Sequence, residues 1–187
     1  MSTMNKWDLR FIELARTVGS WSKDPKRKVG CVLVYPGMHK FSLGYNGIPR
    51  GIEDSASRVN DQAVKNAMTV HAELNAILNA RADVTDCAAY ITSSPCLDCC
   101  KAMIQAGIGF VTCPSPDKTS TWHESQQFGL NLLHEAGVNV VHYDEDFTPE
   151  PETTSNDCCY DVSNHRWNDE TASMWCAKCK SDTRIPF

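Results

Sequence analysis

His71-Ala72-Glu73 and Pro95-Cys96-Leu97-Asp98-Cys99 are the stretches whose reading decides the fold, and between them they supply one imidazole, one carboxylate and two thiols. Cys96 and Cys99 stand three positions apart. On the first turn of a helix their sulfurs share a face and can hold one Zn²⁺, with His71 as the third ligand. Three protein ligands leave a tetrahedral ion with one open corner for water, which marks a catalytic rather than a structural zinc. Glu73 is two positions from His71, and such neighbours in a helix interior point in nearly opposite directions. They converge if His71 opens the helix and the metal lies near its axis, leaving Glu73 to carry protons without being a ligand. A structural zinc has no use for that carboxylate, so its presence favours catalysis over a non-enzymatic, zinc-stabilised binding protein.

Behind His71, the spacing of Leu74, Ile77 and Leu78 predicts a helix over 71–81 with these three as its core stripe. Pro95 suits the first position of a second helix, running to about Ala106 and stopped by Gly107. Both ligand-bearing helices then begin at the metal, where helix N-termini stabilise the thiolates of Cys96 and Cys99. Cys100 also shares a helical face with Cys96, but the Pro-Cys-x-x-Cys spacing favours Cys99.

Upstream, Trp7, Phe11, Leu14, Ala15 and Val18 predict an amphipathic helix over 6–18. Residues 29–35 read as a buried strand, Pro36-Gly37 as a turn and 39–45 as the returning strand of a hairpin. The glycines of Gly44-Tyr45-Asn46-Gly47-Ile48-Pro49 let the backbone approach a ligand closely. Residues 50–70 are polar and read as a surface loop with one short helix near 62–68. Downstream, strands at 88–92, 108–113 and 138–142 alternate with helices at 95–106 and 122–136, which implies parallel crossovers. The expected fold class is α/β, a five-stranded mixed sheet with helices on both faces, within a catalytic domain at 1–146.

A chain of 187 residues that is 42% hydrophobic can bury one good core. Its net charge of -5 and pI of about 5.6 have the wrong sign for gripping a polymeric nucleic acid, though a small phosphorylated ligand fits. The basic cluster Lys23, Lys26, Arg27 and Lys28 is able to meet one phosphate or simply to form a solvated loop. Met1 to Arg10 carries charge with no apolar run behind it, so the expectation is a cytoplasmic protein with no membrane span, in the host cytoplasm if the source is viral. In that compartment the ten cysteines read as metal ligands or small buried residues rather than disulfides, Cys31, Cys87 and Cys113 among the buried ones. Residues 147–187 form a Cys-rich, acidic extension. There Cys158, Cys159, His165, Cys176 and Cys179 are candidates for a second, structural zinc, the alternative being a tail pinned by Trp167 and Trp175.

The pattern His-x-Glu…Pro-Cys-x-x-Cys is the signature of zinc nucleobase deaminases. With Ser22-Lys23-Asp24-Pro25, Gly44-Tyr45-Asn46-Gly47 and His71-Ala72-Glu73-Leu74-Asn75-Ala76-Ile77 beside it, the chain resembles deoxycytidylate (dCMP) deaminases of bacterial or phage type over about residues 5–143. The resemblance implies a three-layer α/β/α cytidine deaminase-like sandwich and a hydrolase that converts dCMP to dUMP and ammonia, feeding thymidylate synthesis. Zn²⁺ would lower the pKa of water to about 7, and Glu73 would move protons to ring nitrogen 3 and the departing amine. By the same resemblance Asn46 lies near the deoxyribose and the backbone at Ala72 and Ser94 surrounds the pyrimidine. Ser22, Lys23 and Lys118 are the candidate phosphate contacts. Regulation by dCTP and dTTP and assembly into a homo-oligomer are also implied. Some phage relatives hold another zinc near the hairpin, but Thr69 occupies one of its ligand positions here and the loops lack the cysteines. The nearest enzymatic rival is a tRNA adenosine deaminase, against which the acidic pI and the Ser-Lys-Asp-Pro and Gly-Tyr-Asn-Gly stretches speak.

Overall fold

The computed structural model describes residues 4–143 and, beyond them, the backbone of three short strands. By its contacts the chain divides into two units, Met1–Phe147 and Thr148–Phe187.

The first unit opens on α1 (Lys6–Ser20). Asn5 caps it by accepting from the backbone N–H groups of Trp7 and Asp8, while the Asp8 carboxylate accepts from the Asn5 N–H, a reciprocal capping box. Five strands follow: β1 (Gly30–Val34), β2 (Phe41–Tyr45), β3 (Ala88–Ile91), β4 (Phe110–Pro114) and β5 (Asn139–Tyr143), in spatial order β2-β1-β3-β4-β5. β1 is antiparallel to both its neighbours, whereas β3, β4 and β5 are mutually parallel. The sheet is therefore mixed, as the alternation of strands and helices requires.

Every residue of β1 is buried because both faces of the sheet are covered. Val32 and Val34 pack with Phe11, Ile12 and Ala15 of α1. Cys31 and Leu33, one step out of phase, belong to the larger core on the other face. That core is completed by α4 (Ala72–Ala80), α5 (Leu97–Gln105) and α6 (His123–Glu135) through Ala72, Ala76, Cys100, Met103, Leu130 and Leu133. Cys31, Cys87 and Cys113 are fully buried free thiols.

α4 lies on the sheet differently from the expected stripe. Leu74 and Leu78 face solvent, 37% and 62% exposed, and the packed face is Ala72, Glu73 and Ala76 with Ile77 beside them. The reason is a close approach to β2: a Cβ at Gly44 would overlap the Ala72 carbonyl oxygen and the Ala76 nitrogen. Gly44 thus admits a helix rather than a ligand. Polar ties fix the contact, with Ser42 Oγ donating to Ala76 O (2.6 Å), Asn75 Nδ2 to Tyr45 O (2.8 Å) and Asn79 Nδ2 to Leu43 O (2.9 Å).

Residues 50–70 hold two short helices where one was expected, α2 (Ala56–Asn60) and α3 (Gln62–Met68). Asp61 starts the second by accepting from the N–H groups of Ala63 and Val64. α5 begins two residues later than Pro95, because Cys96 is extended (φ -76°, ψ 168°) and serves as its N-cap.

In the second unit β6 (His165–Asn168), β7 (Ser173–Cys176) and β8 (Asp182–Thr183) form an antiparallel sheet in that order, with His165 paired to Cys176 in the backbone register. Cys158, Cys159, Cys179 and the linker at 144–157 lie outside the described residues, so the second-zinc reading falls there as well. Among the described residues no helix is long and apolar enough to cross a membrane.

Candidate active site

His71 and Cys96 occupy equivalent positions, each the extended N-cap of its helix, and Cys99 sits in the first turn of α5. This geometry lets residues 71 and 73 converge, since His71 departs from the helical path before α4 begins. One ligand atom from each of His71, Cys96 and Cys99 lies within 4.8 Å of the others. His71 Nδ1 is 3.4 Å from both sulfurs. Zn–N and Zn–S bonds of ordinary length at a tetrahedral angle set nitrogen and sulfur about 3.5 Å apart, so donor types and spacing both fit Zn²⁺. Cys100 is directed away, its Sγ 3.9 Å from Pro95 O and packed where Gly129 leaves room.

The protons on these groups are strongly coupled. The hydrogen bond from Cys99, then that from His71, holds the Cys96 thiol down at about 4 against the effect of burial. The same bond to Cys96, together with burial, pushes Cys99 far up, and the bond to Cys96 raises His71. Metal binding needs both thiols deprotonated and the imidazole neutral, so a cation entering here displaces these shared protons. Glu73 is 4% exposed, and burial raises its carboxyl, opposed by its own backbone amide and by His71.

A cavity of about 480 Å³ opens beside the cluster and takes in His71, Glu73 and Cys96 along its lining. Asn46, Ala72 and Ser94 line it as well. Asn46 is buried; its Oδ1 accepts from Val29 N (2.8 Å) and its Nδ2 donates to Arg27 O (2.9 Å), so it fixes the segment leading into β1. The candidate phosphate contacts fall elsewhere. Ser22 is buried and donates to Asn46 O (2.8 Å), behind the cavity wall rather than on it. Lys23 borders a neighbouring cavity of about 110 Å³ and pairs with Asp54 at 2.7 Å. Lys118 lines neither cavity. Among the described residues the cations on the main cavity are Lys26 and Arg27, from the basic cluster, and Lys65 of α3, which sequence reasoning missed. Trp122 also lines it, edge-on to His71 with ring centroids 6.1 Å apart.

Asp24 organises this wall. It accepts from the backbone N–H groups of Lys26 (2.8 Å) and Arg27 (3.0 Å) and forms a buried ion pair with Lys65 at 2.9 Å. Asp24→Asn leaves the Lys65 ammonium buried without its counter-charge, at a cost of about 3 kcal/mol of stability. Burial pushes the Asp24 carboxyl up, but Lys65 and the two amides outweigh it and hold it below 3.8. A carboxylate held below its unfolded value contributes stability above that value and loses it as pH falls through the folded one. Urea unfolding should therefore show the full gap between wild type and Asp24→Asn at about pH 7, and a shrinking gap below about pH 4.

A three-layer α/β fold with a His-Cys-Cys cluster and a buried carboxylate on one cavity defines the class of zinc-dependent deaminases acting on nucleobases. Residues 5–114 match the family described as "Cytidine and deoxycytidylate deaminase zinc-binding region", and the chain belongs to that family. An uncharacterized deaminase from the luxG 3′ region of Aliivibrio fischeri is 41% identical over 142 residues, covering 74% of this chain and 94% of that protein. The deoxycytidylate deaminase of Mus musculus is 37% identical over 128 residues, 65% of this chain and 70% of the mouse protein. Among solved structures, dCMP deaminase from the cyanophage S-TIM5, in complex with dCMP and dUMP, superposes with a TM-score of 0.62 at 23% identity, covering 76% of this chain and all of that one.

Proposed function

We propose that the protein hydrolyses dCMP to dUMP and ammonia. The observation that carries this reading is the buried Glu73 carboxylate on the same cavity as His71 and Cys96, two members of a His71–Cys96–Cys99 cluster of zinc dimensions. The likeness to deoxycytidylate deaminases supports the choice of substrate. A cavity of about 480 Å³ also suits a mononucleotide.

His71, Cys96 and Cys99 hold the metal, and when bound there Zn²⁺ supplies the Lewis acidity that makes water nucleophilic near neutral pH. Glu73 takes a proton from the water that attacks carbon 4 and delivers it to ring nitrogen 3. It then passes the second proton to the exocyclic nitrogen. The carbon–nitrogen bond breaks, ammonia leaves, and the oxygen of the water remains as the new carbonyl. Asn46, Ala72 and Ser94 surround sugar and base, while Lys26 and Arg27 present positive charge to the phosphate in place of Ser22, Lys23 and Lys118. Response to dCTP and dTTP, homo-oligomeric assembly and a cytoplasmic location belong to the same proposal and are supported by the resemblance.

Ammonia release by zinc-loaded protein from dCMP, CMP, deoxycytidine, dCTP and an adenosine-containing tRNA anticodon stem, each with and without added dCTP or dTTP, tests the reading. Turnover of dCMP in preference to the others is expected. Activity on the anticodon stem alone would move the protein to the tRNA branch, against which its net charge of -5 argues. Inertness toward all of them with zinc retained would leave a binding protein.

A further inference from the structure

The start of α6 lies outside residues 5–114 of the family match, yet it braces the metal-bearing loop. Ser125 Oγ accepts from Leu97 N (3.1 Å), satisfying one of the free amides at the start of α5. One residue on, Gln126 is 4% exposed, lines the main cavity, and donates from Nε2 to the Ser94 carbonyl oxygen at 2.8 Å. That bond assigns the two ends of the amide, because a carbonyl accepts only. Gln126 Oε1 is then a buried acceptor with no partner among the described residues. Leaving such an atom unpaired costs about 1–3 kcal/mol, so its natural complement is a hydrogen-bond donor in the cavity.

Gln126 and Ser94 both line the cavity, so the acceptors at this point, the Ser94 carbonyl and, joined to it through one amide group, Gln126 Oε1, lie at or just behind its wall. Resting on the reading of this site as one for a cytosine mononucleotide, the geometry points to Gln126 as a specificity-determining residue that accepts from the exocyclic amine of the base. Cytosine presents two N–H donors there, whereas the uracil product presents a carbonyl oxygen. An acceptor wall binds the first and repels the second, so Gln126 favours entry of substrate and departure of product.

A merely structural Gln126 would weaken both ligands together, and this separates the two roles. Zinc-loaded, full-length wild type, Gln126→Leu and Gln126→Glu are compared for kcat and KM with dCMP and for competitive inhibition by dUMP, with metal content and thermal unfolding recorded alongside. Gln126→Leu is expected to lower kcat/KM for dCMP about 10- to 100-fold, from the loss of one buried acceptor. Its inhibition constant for dUMP should stay within about threefold of wild type, because no bond to the product is lost. Gln126→Glu preserves shape and acceptor, and covers the case in which the leucine variant fails to fold. It gives up the Nε2 bond to Ser94 O, so dCMP also weakens, but dUMP should weaken about tenfold more than dCMP, as a charged acceptor faces the product carbonyl. Parallel losses for dCMP and dUMP, or no change in either, would overturn the assignment while leaving the functional proposal intact. A wild type that turns over no dCMP overturns both.

Discussion

Glu73→Gln is expected to lower the deamination rate about 10²- to 10⁴-fold, the range that a positioned general acid–base supplies, while zinc content stays at the wild-type level. The side chain is nearly fully buried and lines the cavity beside the metal cluster. Its neighbours include the Cys31 thiol, whose proton is held more tightly through burial and through the Glu73 charge. Glutamine keeps the volume and removes a buried charge, so the fold should be no less stable and thermal unfolding should show an equal or higher midpoint. The loss should fall on kcat, with KM for dCMP changing little, because the carboxylate acts on protons in flight rather than on the resting nucleotide. Metal analysis of the purified variant decides the role: zinc depleted along with activity would mean that Glu73 supports the ligands rather than the chemistry.

The metal centre was legible because it is local. Two N-caps and one first-turn residue carry all three ligands, and spacing alone brings the sulfurs together. The hairpin of β1 with β2 and the parallel run of β3, β4 and β5 were legible too, from a short turn and from helical crossovers, whereas the pairing of β1 with β3 across the long connection from β2 was not. Which face of α4 packs was not legible in this way. Periodicity draws attention to Leu74 and Leu78, but how near a helix may lie to a strand is set by the smallest residues between them. Here these are Gly44, Ala72 and Ala76, and the leucines are turned outward. The polar wall was hidden for a different reason. Lys65 is buried only because Asp24, 41 positions away, receives it, and Gln126 matters only because the Ser94 carbonyl lies 32 positions upstream. Such pairs leave no periodic trace. The one sequence signal was Asp24 itself, a carboxylate in an Asp-Pro loop beside a basic cluster, which when buried requires a cationic partner.

Gly44→Ala should show how far that close approach governs the site. The added Cβ would meet the Ala72 carbonyl oxygen and the Ala76 nitrogen inside contact distance, with Ala76 Cα at 2.9 Å. All three are backbone atoms, so no side chain can swing aside and α4 as a whole must move off β2. Overpacking of this kind costs about 3 kcal/mol or more. The helix also carries the chemistry: His71 is its N-cap and Glu73 lies in its first turn, while Cys96 and Cys99 are held on α5. A displacement of α4 therefore changes the distance from imidazole to thiolates and from Glu73 to the base, and a shift of about 1 Å can cost about 10²-fold in rate. Gly44→Ala is thus expected to lose stability, zinc affinity and dCMP turnover together. Gly47→Ala, whose nearest contact would be Tyr45 Cε2 at 3.9 Å, should stay within about 1 kcal/mol of wild type. Urea unfolding, zinc titration and ammonia release on the two variants separate a steric requirement at Gly44 from a general need for flexibility in this loop. A Gly44→Ala protein that matches wild type in all three would show that α4 is free to slide, and that the placement of Glu73 does not depend on its seat against β2.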